Sequence, residues 1–372
     1  MGRSVNKILL LLIILVMPFV GYSQSVFNKA FDEGNTYNFT TNAVEVESSY
    51  YFVQNIYVNN KVYLEGVKLD SQGVVVKKGN VASHASLNIF TGYPGSLQFL
   101  STNEFCQLYH IAYDSAVELV FFDTNFNVKR TISYDFNYFL NAGIVKQIND
   151  STLLTLGRIQ NASTFDLFLI NTDLQGNERW RTIFGEPGKD DYGYAIEYFN
   201  DKILVSGTTV NEGPHLFELD MNGIVNFDTI YSNLYWGTIV KYHPNLGLYF
   251  LVAQNNSSTG YDYSSLLKLD ANYQIEWQQD YFRGDNSYLQ QMTINDQGTL
   301  SFAGGLYQNN VFTGLFFQAN HLGDSLGSKL LEHIPGERAQ FHDIRATSDG
   351  GYILAGVAHT PTQDSWIVKV NA

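Results

Sequence analysis

Aromatic side chains recur along this sequence at positions where they could form a binding surface. Phe39, Tyr93, Tyr138, Tyr192, Trp236, Tyr288 and Phe341 each stand 28 to 35 residues ahead of an Asp or Asn that closes an apolar run. Asp191, Asp285, Arg283 and Arg338 lie close to them in sequence. Tyrosine and tryptophan bury a large flat area at low entropic cost and keep one polar atom for a hydrogen bond, which suits a sugar ring or a peptide. The candidate ligand-binding set is Tyr93, Tyr138, Asp191, Tyr192, Trp236, Arg283, Tyr288, Arg338 and His342. A mechanical role competes with this one: bulky side chains at these positions would wedge neighbouring repeats apart and touch no ligand.

Signals for catalysis are thin, and no catalytic residue is assigned. His342 stands beside Asp343 and follows Arg338 and Gln340, the most polar approach to any strand in the chain. An imidazole there suits proton transfer near neutral pH, although a histidine on a strand more often bonds a neighbouring backbone group. The eight histidines form no His-Glu-x-x-His pattern and there is no Cys pair, so no metal site is expected. Asp190, Asp191 and Asp262 lack the spacing of a calcium loop, and adjacent carboxylates on a strand point to opposite faces. The glycine pairs at 304 and 350 carry no Gly-Lys-Ser/Thr sequence, so they do not cradle phosphate, and no cofactor is expected.

The elements that position these residues are repeats. Seven apolar runs close at Asp70, Asp123, Asp173, Asp220, Asp270, Asn320 and Asn371, with spacings of 53, 50, 47, 50, 50 and 51. Upstream of five of them a second apolar run ends in a small residue: Gly157, Gly207, Ala253, Gly304 and Gly356. A small residue inside a strand marks close approach by another backbone. The unit is clearest where Tyr194 to Phe199, Ile203 to Thr208, His215 to Leu219 and Ile224 to Ile230 succeed one another across Asn, Asp and Gly turns. Such runs are too short for helices, and radially arranged four-stranded units of this length predict an all-β, seven-bladed propeller. The seventh unit lacks an outer strand, and Val26 to Phe31 resembles the missing one, so the N-terminal strand is expected to complete the last blade.

Composition bounds the partners. The chain has 372 residues, with 22 Lys and Arg against 36 Asp and Glu, a net charge of -14 that argues against nucleic acid and anionic membranes. A hydrophobic content of 45% excludes intrinsic disorder. Cys106, the single cysteine, can form no internal disulfide and sits in an apolar stretch as a buried small hydrophobe. Arg3 and Lys7 precede a thirteen-residue apolar run, Ile8 to Val20, and small residues follow, which predicts a signal peptide over 1–23 and a mature domain over 24–372. The run is short for a membrane span of roughly 20 residues. An exported monomer is expected.

The final repeat, Asp349-Gly350-Gly351-Tyr352-Ile353-Leu354-Ala355-Gly356 followed by Asp364-Ser365-Trp366-Ile367-Val368-Lys369-Val370-Asn371, resembles that of secreted β-propeller proteins common in the Bacteroidetes. The resemblance extends in weaker form over 26–372 and implies the repeat type; that family is mostly unassigned in function. Many such proteins carry a C-terminal sorting domain for type IX secretion, whereas this sequence ends with its last blade, which leaves periplasmic and freely secreted locations open. Two functions follow as expectations: a non-catalytic module that binds a glycan or a protein on its loop face, or an extracellular or periplasmic enzyme acting on a polysaccharide at the channel mouth. Quinone-dependent oxidation is a weaker third, since Trp180 and Trp277 alone do not recreate the repeat of quinone-holding propellers.

Overall fold

Short strands bounded by Asn, Asp and Gly can bury their apolar residues only by stacking sheet on sheet. The computed structural model describes residues 25–371 apart from 32–33, 35–36, 60, 85–87, 92–93, 112–114, 139, 162, 309 and 360–361; the signal-peptide segment and Tyr93 lie outside the described residues. Seven antiparallel sheets follow one another over 38–82, 89–135, 140–184, 191–230, 236–281, 286–331 and 339–370, forming the blades of a propeller, here numbered 1 to 7. No helix occurs among the described residues.

Each blade has four strand positions, lettered A to D from the channel outward. In blade 4 they are Asp191–Phe199, Lys202–Thr209, Gly213–Leu219 and Val225–Ile230. In blades 1 and 2 strand A is broken in two: Asn38–Thr40 and Val44–Val46 both pair with Ser49–Val58, and Ile89–Thr91 and Leu97–Phe99 both pair with Phe105–Ile111. Strands B and C are buried on both faces, as Leu204, Val205, Leu216 and Phe217 show, whereas strand D is largely solvated. The sheet Ala339–Ala346, Tyr352–His359, Gln363–Val370 takes Ser25–Phe31 as its fourth strand, paired antiparallel with Gln363–Val370. Phe27 and Phe31 on that strand pack against Tyr50 and Phe52 of blade 1, with ring centroids 5.6 and 5.0 Å apart.

Two local rules explain the periodicity. The Asp that ends strand C is a turn former: Asp220 Oδ1 accepts the N–H groups of Asn222 and Ile224 at 2.8 and 3.0 Å. The same pair of bonds recurs at Asp70, Asp123, Asp173, Asp270 and, through an amide oxygen, Asn320. Only an Asp or Asn oxygen reaches both donors, so these residues fix the turn.

The second rule concerns the aromatic residues of the outer strands. Tyr134 Oη donates to the Gly176 carbonyl, Trp180 Nε1 to that of Met221, Tyr231 Oη to that of Tyr273 and Tyr281 Oη to that of Gly323, at 2.7 to 2.9 Å. Each runs from the outer strand of one blade, or its end, to the C–D turn of the next. Much of the Tyr and Phe content is therefore mechanical, and the wedge reading holds for these side chains.

Candidate functional site

The channel wall is shaped by a bulge in strand A of blades 3 to 7. The register shifts between Ala142 and Ile144, Gly193 and Ala195, Gly237 and Val240, Leu289 and Gln291, and Phe341 and Asp343. A bulge re-aims a side chain out of the pleat alternation. The glycines of strand B permit it. A Cβ on Gly207 would collide with the carbonyl of Tyr192, and one on Gly304 with that of Tyr288. The bulge also explains why strand A of blade 4 begins at Asp191 rather than Tyr194, since alternation breaks between Gly193 and Ala195.

His342 is one of the bulged residues and lies in the wall between two blades. Its Nδ1 is 2.5 Å from Gln290 Oε1, the bulged residue of blade 6, and its Nε2 is 3.5 Å from Gln340 Nε2. An amide oxygen can only accept, so Nδ1 carries the proton. Burial, reinforced by the Arg338 guanidinium, lowers the imidazole to about 4. His342 is thus neutral and held between amides.

At the loop end of the channel the structure brings Tyr192 and Trp236 together. Their ring centroids are 5.6 Å apart, and Tyr194 lies 6.3 Å from Tyr192 and 6.2 Å from Trp236. Tyr235, exposed to 54%, extends the cluster 6.4 Å from Trp236. The Arg158 guanidinium sits 4.4 Å over the Tyr192 ring and 4.6 Å over Phe165, a stacked cation that binds the cluster to blade 3. Tyr288 is half-buried on the next blade, its hydroxyl pushed up to about 12 by burial, then by the charge of Asp262.

The remaining predicted residues scatter. Tyr138 is 54% exposed on its loop. Arg283 reaches solvent, 3.8 Å from Asp280 and 5.8 Å over the Tyr263 ring, and Arg338 lies 5.8 Å over Phe312. Asp191 is 1% exposed: its carboxylate accepts the Glu186 N–H at 2.8 Å and the Thr209 hydroxyl at 2.5 Å, and burial raises it to about 6. It organises the loop from inside. Phe341 is buried and stacks on Trp366 at 4.1 Å, a wedge as the mechanical reading requires. Phe39 instead joins Tyr37, Tyr57 and Phe90 in an apolar depression of about 320 Å³ on the loop face of blades 1 and 2.

Two arrangements escaped the sequence reading. Thr209 Oγ1, His215 Nδ1 and Nε2, and Asp228 Oδ2 form a hydroxyl–imidazole–carboxylate chain at 2.8 and 3.0 Å. Thr209 is fully buried, so the hydroxyl reaches no substrate.

The second arrangement lines the turn end of the channel. Lys146, Glu197, Lys241, Thr293 and Arg345 occupy the same place on strands A of blades 3 to 7, with spacings of 51, 44, 52 and 52. Lys146 Nζ pairs with Glu197 Oε1 at 2.7 Å, and Arg345 Nε with Asp343 Oδ2 at 3.0 Å. A cavity of about 240 Å³ opens among them. The period was available in the sequence, but the varied residue types concealed it.

No protein-family model matches the chain, and no curated protein sequence matches it. Solved structures do match. An acylaminoacyl peptidase of Pyrococcus horikoshii is 8% identical, with a TM-score of 0.51 over 88% of this chain and 52% of that one. This chain thus spans about half the length of that peptidase. The β-propeller domain of the Trilobed protease from Pyrococcus furiosus is 8% identical, with a TM-score of 0.54 over 90% of this chain and 93% of that one. Sqt1 from Chaetomium thermophilum is 10% identical, with a TM-score of 0.53 over 94% and 99%. At these identities the likeness is one of fold, which fixes no activity.

Proposed function

We propose that this protein is an exported, non-catalytic binding propeller that takes a glycan on its loop face. The observation that carries this reading is a segregation of residue types. All five exposed tyrosines among the described residues, Tyr37, Tyr57, Tyr138, Tyr235 and Tyr261, belong to the loops and strand ends of that face. The exposed aliphatic side chains, Ile334 excepted, sit on outer strands and C–D turns. Tyrosine offers a flat apolar ring and a polar tip, which matches the C–H faces and hydroxyls of a sugar better than it matches an aliphatic protein surface. The Trp236 cluster, backed by Arg158, supplies the rigid anchor such a surface needs.

The non-catalytic part of this reading is supported by the channel carboxylates. Glu197 and Asp343 are each engaged by a cation of the channel wall, which favours a structural use of both over the acid and nucleophile pair of glycoside cleavage. Export is supported by the basic head and apolar run over 1–23. The test is retention of the mature chain on a polysaccharide array. Binding to at least one glycan that is lost in Trp236→Ala and Tyr235→Ala supports the reading; a protein captured through the same face with no glycan bound replaces the ligand class.

A further inference from the structure

The turn end of the channel holds a cation without a full partner. Lys241 Nζ lies 3.8 Å from Glu197 Oε2, while the other carboxylate oxygen, Oε1, is bonded by Lys146 at 2.7 Å, and Lys241 makes no hydrogen bond among the described residues. Two further donors on the adjacent blade are free in the same sense. Gln291 uses its Oε1 to accept the Met292 N–H at 3.0 Å, and neither its Nε2 nor the Thr293 hydroxyl makes a hydrogen bond among the described residues. All three residues line the cavity of about 240 Å³. Three cations, Lys146, Lys241 and Arg345, face two carboxylates there, Glu197 and Asp343, in a chain whose net charge is -14. The Lys241 side chain keeps 30% of its surface exposed beside the cavity, so its ammonium is open to an anion that enters there.

We propose that this half of the channel binds a small hydroxycarboxylate, its carboxylate held by Lys241 Nζ, Gln291 Nε2 and Thr293 Oγ1. The cavity is below the roughly 300–1,000 Å³ of pockets for drug-sized ligands, so the ligand is of the order of a single sugar acid. Its hydroxyls face Gln98 and the polar wall of blades 2 and 7. Burial lowers the Lys241 ammonium, with Glu197 opposing and Lys146 reinforcing the shift, and a carboxylate bound beside it would favour the charged form. The site adjoins the aromatic cluster at Tyr194, but its ligand-holding groups, Lys241, Gln291 and Thr293, are not part of that cluster.

Isothermal titration of the full mature chain with sodium glucuronate tests this, with sodium phosphate and sodium sulfate as comparators. The expected result is one glucuronate per chain, weakened at least tenfold by Lys241→Met and severalfold by Thr293→Val, the latter serving should the first variant not fold. Absence of glucuronate binding overturns the proposal, as does undiminished binding in both variants. Phosphate or sulfate binding as tightly as glucuronate also overturns it, since the site would then take any oxyanion. Failure here leaves polysaccharide binding through Trp236 untouched, because the two sites are read with different ligands.

Discussion

The carbonyl of Tyr192 occupies the space in which a side chain on Gly207 would begin, so the two residues hold each other in place. The same relation joins Tyr288 to Gly304 and Gln340 to Gly356. These close contacts accommodate the bulges that turn strand A toward the channel, on the strand that carries Tyr192 beside Trp236.

Gly207→Ala is therefore expected to cost about 1–3 kcal/mol, the range for overpacking a filled site. Gly284→Ala is the control: its Cβ meets nothing within 4 Å, and the change should stay within about 0.5 kcal/mol. Urea unfolding of both variants checks the difference.

A second prediction concerns Lys369, which is 1% exposed and whose ammonium lies 2.8 Å from Asp349 Oδ2 and 2.9 Å from the Val370 carbonyl. Asp349→Ala leaves that charge enclosed and is expected to cost about 3 kcal/mol. Replacing both partners, Asp349→Ala with Lys369→Met, should recover most of the loss. Thermal denaturation of the single and double variants reads the coupling.

Acid should act in two stages. Burial, then the charges of Arg338 and Arg158 respectively, lowers His342 and His110 to about 4. The unfolded chain therefore binds more protons between pH 6.5 and 4, and stability falls as pH drops through that window. Asp349 is lowered to about 2 by Lys369, Thr347 and Gly351 acting against desolvation, so its contribution is kept above about pH 4 and lost below. His342→Gln should remove part of the first stage, on the order of 2 kcal/mol, and leave the second unchanged. Melting temperature against pH for the two proteins decides it.

The sequence showed the repeat because the turn at the end of strand C in blades 1 to 6 demands an Asp or Asn oxygen, and that demand recurs at Asp70, Asp123, Asp173, Asp220, Asp270 and Asn320. The small residues of strand B were legible for a similar reason: Gly207, Gly304 and Gly356 each make room for a backbone carbonyl.

The site was only half legible. Spacing brought Tyr192, Trp236 and Tyr288 to one face, yet spacing cannot tell a partly exposed ring such as Trp236 from a buried wedge such as Phe341, which differ in what the next blade lays over them. Asp191 is polar and close in sequence to the aromatics, but Thr209 and the Glu186 amide draw it inward. Lys146, Glu197, Lys241, Thr293 and Arg345 share a position without sharing a chemistry, so no residue pattern announces them.

The central claim is that the half-exposed Trp236 cluster is a ligand platform. Its most direct measurement is titration of the mature protein and Trp236→Ala with the glycan retained best on the array, alongside the melting temperature of each. The account predicts at least tenfold weaker binding, about 1.4 kcal/mol, with melting temperatures that nearly coincide. A variant that loses stability while it keeps its affinity would contradict it and make Trp236 a wedge between blades.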